Sequence, residues 1–319
     1  MERGMTPAAG NPGIGSTHPT GEKVKLLITG ASSLPGYRTV EIALKKGYEV
    51  TAVHFSHPIP LEHERLRKVR VDLTDFSAVH SLVAGERPDA VVHMAALGDV
   101  DLCERDRALA WRVNADATLE LARAAERVEA YFLYLSTDYV FDGVRGMYSE
   151  SDPPNPVNYY GLTKMAGEVA VRAACSQWCV VRASSIYGLG PGRTNFAKFL
   201  IEKLSRGEPV RALIDQYTSP THARLLAEAV LELVEKRVNG VYHVVGERMS
   251  RYEFALKVAE TLGFDTSLIS PSRMEEFKWL ARRPVDSSLS FEETKRVVLT
   301  RFYDTQLALR MLKEEVGGK

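Results

Sequence analysis

Short, nearly unbroken apolar runs alternate with longer segments of helical period along the first 185 residues. The runs "KVKLLIT" (23–29), "YEVTAVHF" (48–55), "VRVD" (69–72), "DAVVHMAA" (89–96), "AYFLYLS" (130–136) and "CVVRAS" (179–184) read as strands. Between them, "YRTVEIALKKG" (37–47), "DFSAVHSLVAGE", a long segment over roughly 104–127 and one over about 159–175 read as helices. Strands that are apolar on both faces suit a parallel sheet covered on both sides, because an antiparallel sheet with one wet face alternates apolar and polar positions. Strand–helix alternation of this kind predicts an α/β fold of the Rossmann type, a doubly wound parallel sheet. After residue 185 the alternation becomes irregular. "NFAKFLIEKLSRG" (195–207), "THARLLAEAVLELVEK" (221–236), 250–262 and a stretch near 303–315 read as helices, and "GVYHVVG" (240–246) as one more strand.

Composition narrows the function classes. Lys+Arg and Asp+Glu number 41 each, so no global basic field points to nucleic acid or to a membrane surface. No run of about 18 apolar residues predicts a membrane span. The three cysteines, Cys103, Cys175 and Cys179, are too few and too scattered for a disulfide scaffold or a zinc set, and no metal site is expected. Residues 1–22 lack the apolar centre of a signal peptide and are rich in Gly, Pro, Ser and Thr, which predicts a mobile tail. The expected compartment is the cytoplasm.

The first strand runs directly into "TGASSLPG", Thr29 to Gly36. A strand, a turn of small residues and a helix form the geometry that holds a diphosphate: helix amides point at the anion, and a missing Cβ lets backbone approach it. Gly30 and Gly36 supply the turn and the close helix–strand contact, with Ser32, Ser33 and Leu34 between them. The Ser33 hydroxyl is a candidate donor to phosphate. The second strand ends in "AVHFSHP", without the carboxylate that normally holds the ribose of NAD. That absence admits a 2′-phosphate, which Arg38 and His54 are candidates to reach. NADP is therefore the expected cofactor, with NAD still open. Asp72 and Leu73 follow the third strand and are placed to border an adenine. Ala95 and Ala96 end the fourth, where small side chains let a cofactor cross the sheet edge.

Two tyrosines stand together in "NYYGLTKMAGE" (158–168), but only Tyr160 has a lysine one helical turn later, Lys164. An ammonium beside a phenol favours the phenolate, so this pair predicts a tyrosine tuned for proton transfer near neutral pH. Alone, such a pair is as common as any chance spacing. Its context is more specific, because the fifth strand ends in "LSTDYVFDG". The Thr137 hydroxyl therefore stands at the carboxyl edge of the sheet, where it can hydrogen-bond a substrate carbonyl oxygen beside Tyr160.

These blocks, with "NPVNYYGLTKMAGE", "VVRASSIYG", "NFAKFL", "DQYTSPTHARLLAEA", "GVYHVVGE" and "ARRPVDSSL", resemble the extended short-chain dehydrogenase/reductases over about residues 23–315. Within them the chain is most similar to the dTDP-4-dehydrorhamnose reductase family. The glycine turn resembles the superfamily's G-x-x-G-x-x-G, with Ser33 in place of the middle glycine. The resemblance implies a dinucleotide-binding domain over 23–184, to which the chain returns near 215–246. A smaller C-terminal α/β lobe, 185–214 and 247–319, would close over a nucleotide-sugar.

It further implies a catalytic set of Thr137, Tyr160 and Lys164, with Asp138 assisting on the substrate side. Tyr160 and Lys164 would also touch the cofactor, and Asn114 would help position the active site beside it. Arg182, Ser185, Asn195 and Arg283 would face the substrate, Arg283 offering a guanidinium fork to a sugar diphosphate. Where the family usually reads R-T-S-W-V-Y, this chain has Arg182 to Tyr187 as R-A-S-S-I-Y, so Ser185 replaces a tryptophan expected against the sugar. The implied activity is NADP(H)-dependent reduction of a nucleotide-linked 4-keto-6-deoxysugar, and a homodimer is compatible with it. Two other readings share these motifs: a nucleotide-sugar epimerase or dehydratase, and a non-catalytic NADP-binding regulatory subunit of the methionine adenosyltransferase type.

Overall fold

In the computed structural model, which describes residues 23–318, the apolar runs pair as parallel strands of one seven-stranded sheet. Along the chain come β1 (Lys25–Thr29), α1 (Leu34–Lys45), β2 (Glu49–His54), β3 (Leu66–Arg70), α2 (Phe76–Glu86) and β4 (Ala90–His93). Then follow α3 (Val100–Arg105), α4 (Arg107–Trp111), α5 (Ala117–Arg127), β5 (Tyr131–Thr137), α6 (Tyr159–Ala174) and β6 (Trp178–Ala183). The remainder is β7 (Ile186–Tyr187), α7 (Phe196–Leu204), β8 (Val210–Leu213), β9 (Tyr217–Thr218), β10 (Thr221–His222), α8 (Ala223–Lys236) and β11 (Gly240–His243). The last elements are β12 (Met249–Ser250), α9 (Arg251–Leu262), β13 (Ile269–Ser272), α10 (Thr294–Val297) and α11 (Thr305–Gly317). The tail expected over 1–22 lies outside the described residues.

The sheet order is β3-β2-β1-β4-β5-β6-β11. Strand order reverses between β1 and β4, and ligands bind at the carboxyl edge of such a switch point. Alternate residues of each strand feed two cores. Leu26, Ile28, Val92, Leu133 and Val181 pack under α1 and α8, in a cluster that continues into α9 and α11. Leu27, Val91, Phe132, Tyr134 and Val180 pack under α2, α5 and α6. Each fully buried aliphatic side chain contributes about 1.5–3 kcal/mol, which is why strands apolar on both faces fold only as the middle layer of three. Three two-stranded pairings, β7 with β10, β9 with β12 and β8 with β13, lie beyond the sheet.

The helix expected over roughly 104–127 is broken. Asp99 and Asp106 each cap a short helix, α3 and α4, by accepting from Leu102 N at 3.0 Å and Leu109 N at 2.9 Å. A π-helical turn over Arg112–Asp116 then precedes α5. An aspartate inside an apolar-periodic run competes for backbone N–H groups, and here that competition ends α3 at Asp106. The π turn holds Asn114, whose side chain matters below. No helix among the described residues is long and apolar enough to cross a membrane.

Candidate active site

The glycine turn folds as its small residues demand. Gly30 has φ +67°, and a Cβ there would meet Ala95 N at 2.6 Å. A Cβ on Gly36 would meet Gly30 O at 2.2 Å, so α1 reaches the turn only because neither residue has a side chain. Ser33 caps α1: its Oγ donates to Gly30 O at 2.7 Å and accepts from Gly36 N at 3.3 Å. The hydroxyl expected to donate to phosphate is thus committed within the turn.

From this turn a cleft of about 430 Å³ opens along the carboxyl edge of β1, β2, β3 and β4. Eight of the expected cofactor residues line it: Gly30, Ser32 and Ser33 at the turn, His54 after β2, Asp72 and Leu73 after β3, and Ala95 and Ala96 after β4. Leu34 is buried beside the turn. Phe55, Ser56 and His57 extend the wall beyond His54, and Leu109 and Val113 close it from the far side. The first three were readable as the continuation of β2. Leu109 and Val113 carry no local signal, because only helix packing brings them to the sheet edge.

Arg38 does not reach this cleft. Its guanidinium donates to Glu41 Oε2 at 2.8 Å, to Leu189 O at 2.7 Å and to Glu315 Oε1 at 2.8 Å, on the side of α1 that faces α11. The expectation that it meets a 2′-phosphate is corrected accordingly. Arg70, the register partner of His54, supplies a cation at that end of the sheet and lies over the Phe55 ring.

Tyr160 sits half-buried in the first turn of α6. Asn158 caps this helix by accepting from Gly161 N at 2.8 Å. A Cβ on Gly161 would meet Tyr139 O at 2.0 Å, and one on Gly167 would meet the Tyr134 hydroxyl at 2.3 Å. These glycines let α6 lie directly on β5 and the turn that follows it, which brings Tyr160 beside Thr137. Burial pushes the Tyr160 phenol above its ordinary value, and a hydrogen bond with Thr137 pulls it partway back. The lowering expected from the Lys164 ammonium is therefore overturned: burial dominates, and the phenol is held protonated. The Lys164 ammonium instead donates to Leu135 O at 2.8 Å and lies 4.1 Å above the Tyr134 ring. Burial lowers the lysine to about 7, against the opposing pull of Glu168.

The Thr137 hydroxyl donates to Asp138 Oδ1 at 3.0 Å and accepts from Tyr139 N at 3.2 Å. The hydroxyl thus lies between the Asp138 carboxylate and the Tyr160 phenol, and its hydrogen bond with Tyr160 opposes the effect of burial there. Asp138 is buried and accepts from Ser184 Oγ at 2.8 Å and Ser287 Oγ at 2.5 Å as well. Desolvation raises its carboxyl above the ordinary value despite these donors. Expected on the substrate side, Asp138 is instead a hub that joins the ends of β5 and β6 to the segment at 287. Asn114 accepts from Leu97 N at 2.8 Å, and its amide donates to Leu97 O at 3.2 Å and to Thr163 Oγ1 at 3.0 Å. Thr163 in turn donates to Tyr160 O at 2.8 Å, so Asn114 pins the cleft wall to the helix of Tyr160.

Three of the four expected substrate residues have other work. Arg182 is buried and paired with Glu168 through Nε at 2.9 Å and Nη2 at 2.7 Å. Its place on β6, an interior strand, directs it under α6 rather than into a cleft. Asn195 caps α7, accepting from Lys198 N at 3.1 Å, and donates to Gly188 O at 2.8 Å. Arg283 pairs with Asp101 at 3.1 Å and donates to Ala281 O. Ser185 does line a small cavity, at φ +42°, with Tyr187, Phe196, Phe254 and Arg251. Arg251 carries no local signal in the sequence that separates it from a solvated helix residue. The three cysteines are buried free thiols, and burial pushes Cys103 up to about 11 and the other two up to about 12. No cluster of metal-ligating side chains occurs among the described residues.

Residues 24–316 match the RmlD substrate binding domain family. The dTDP-4-dehydrorhamnose reductase of Mycobacterium tuberculosis is 34% identical over 88% of this chain and 89% of its own. The methionine adenosyltransferase 2 subunit beta of Bos taurus is 31% identical, over 77% of this chain and 75% of its own. Among solved structures, dTDP-4-dehydrorhamnose reductase from Bacillus anthracis in complex with NADP superposes with a TM-score of 0.81 at 29% identity, covering 91% of this chain and 98% of that one.

Proposed function

The chain belongs to the RmlD substrate binding domain family, within the extended short-chain dehydrogenase/reductases, and we propose from this that it is an NADP(H)-dependent reductase of a nucleotide-linked 4-keto-6-deoxysugar. Sequence relatives that are dTDP-4-dehydrorhamnose reductases, and a structural neighbour of that activity holding NADP, support the reading. The residues present fit such a cofactor. Gly30 and Gly36 let α1 start tight against β1 and β4 at the mouth of the cleft, and Ala95 and Ala96 line it with small side chains. When bound, NADPH supplies the hydride.

The observation that carries the reaction class is the state of Tyr160. A phenol raised by its surroundings, hydrogen bonded with Thr137 at the end of β5, carries a proton at neutral pH, which is what reduction of a ketone requires at its oxygen. Tyr160 gives its proton to the forming alkoxide. Thr137, fixed by Asp138 and Tyr139 N, aligns the phenol. Lys164, anchored on Leu135 O one helical turn beyond Tyr160, stabilises developing negative charge in its protonated form. The division into a dinucleotide-binding domain and a substrate lobe at residues 185–214 and 247–319 belongs to the same proposal.

The test is spectrophotometric: oxidation of NADPH and of NADH is followed against a panel of 4-keto-6-deoxy nucleotide sugars. Substrate-dependent oxidation with NADPH preferred is the expected result. Turnover of a nucleotide sugar with no net NADPH consumption would replace the reading by an epimerase or dehydratase. The 31% identity with the methionine adenosyltransferase 2 subunit beta makes a regulatory role the second reading. That role would be favoured by stoichiometric recovery of an enzyme partner from a pull-down, with no sugar turned over.

A further inference from the structure

Arg251 opens α9 at the edge of the small cavity that also contains Ser185. Its guanidinium is held in place without being neutralised. Nε donates to Gln216 Oε1 at 2.7 Å, and the guanidinium carbon stands 5.3 Å from the Phe196 ring centroid. Gln216 is itself fixed through its amide to Pro284 O at 3.3 Å, and the Arg251 backbone N–H binds Gln216 O at 3.1 Å. Every partner is neutral, and Arg251 forms no ion pair among the described residues. Arg38, Arg182 and Arg283 contrast with it, since each is paired with a carboxylate. A half-buried cation at the first position of a helix, the end where the macrodipole disfavours positive charge, is a poor choice for stability alone.

Its location supplies the reason. The Arg251 guanidinium acts on the Tyr139 hydroxyl, opposing the rise that burial gives it, and the Tyr139 ring packs edge-on against Tyr160 with centroids 6.0 Å apart. One aromatic residue therefore separates the free guanidinium from the proton donor. We propose that Arg251, seconded by Tyr139, is an anion-reading site on the substrate side, which takes the diphosphate of the nucleotide-linked sugar. The proposal rests on the nucleotide-sugar reading above. Stacking on Phe196 and the tether to Gln216 preorganise the guanidinium, leaving its terminal N–H groups for phosphate oxygens in the bidentate manner that arginine favours. Arg283 thereby yields the role expected of it, because its fork is already closed on Asp101. Ser185, where the family carries a tryptophan, lines the same small cavity as Phe196 and Arg251.

The sugar's diphosphate and the cofactor's share one chemistry, so the experiment separates them. Binding of dTDP, UDP and NADPH is titrated calorimetrically to the full-length protein and to the Arg251→Gln and Arg251→Lys variants. Arg251→Gln is expected to weaken dTDP and UDP alike by about 10-fold or more, with NADPH affinity within about 2-fold of the parent. Arg251→Lys should fall between, since a point charge replaces part of the fork and keeps the site folded. Nucleotide-sugar KM should rise in step, with kcat little changed. Unchanged dTDP affinity in Arg251→Gln would overturn the assignment. So would equal losses for dTDP and NADPH, which would place the residue on the cofactor's diphosphate, and so would unequal losses for dTDP and UDP, which would make it a reader of the base. If the parent protein binds neither dTDP nor UDP, the nucleotide-sugar reading itself falls, and the two failures are distinguished.

Discussion

Tyr160 and Lys164 are one helical turn apart, but the structure gives them different tasks from those the spacing implies. The phenol is kept protonated by burial, and the lysine is the group brought near neutrality. Replacing Tyr160 by Phe should leave NADPH binding intact and lower turnover by about 10²-fold or more, as measured by fluorescence titration and steady-state assay. The lysine makes a prediction about pH. Its folded value of about 7 lies below its ordinary 10.5, so between these values the unfolded chain holds a proton that the folded lysine has released. Stability therefore rises with pH across that window, and the contribution is lost as pH falls towards 7. The thermal midpoint of the parent, referred to that of Lys164→Met, should climb from pH 7 to pH 10. A flat difference would show that the ammonium is not desolvated. The motif was legible at these residues because helical period fixes which side chains share a face. The sign of the tyrosine's shift was not, because desolvation depends on what α6 is pressed against.

Several polar side chains at the strand ends hold elements together and do not face a ligand. Arg182 and Glu168 join β6 to α6, and Ser136 of β5 adds its hydroxyl to the same carboxylate at 2.5 Å. Arg182 Nη1 lies 3.4 Å from His243 Nε2 on β11, so one buried pair spans three adjacent strands and a helix. The Ser136 clasp stands between Leu135, which anchors Lys164, and Thr137, which aligns Tyr160. Glu168→Gln leaves a buried guanidinium uncompensated and should cost about 3–5 kcal/mol in urea unfolding. Adding Arg182→Met to it should recover a large part of that loss. If the double variant is less stable than the single, the charge pair is not the source of the effect. The helices α3, α4 and α5 teach a related lesson. The apolar period over 104–127 continues through Asp106 and the π turn, so period alone predicted one helix. Capping by Asp106 and the link from Asn114 to Leu97 and Thr163 broke it.

Across the molecule, Arg38 on the first helix and Glu315 on the last are joined 277 residues apart in sequence. Arg38→Ala should lower stability by about 1.5–3 kcal/mol, the value of hydrogen bonds between charged groups. It should leave the ratio of NADPH to NADH turnover unchanged, a result opposite to the one its place after the glycine turn suggests. A shift of that ratio towards NADH would return Arg38 to the cofactor. The order of strands and helices, the glycine turn and the pairing of Tyr160 with Lys164 were present in the chain as period, spacing and residue size. These are properties of neighbours in sequence, and local geometry follows from neighbours. Which of the arginines near the site meets a carboxylate was not written there. Arg38, Arg182 and Arg283 are each closed by a carboxylate brought from elsewhere in the chain, while Arg251 is met by neutral groups, Gln216, Phe196 and Tyr139. A long charged side chain takes its role from whatever folding places within hydrogen-bond reach of its tip, and that is settled only once distant elements have packed.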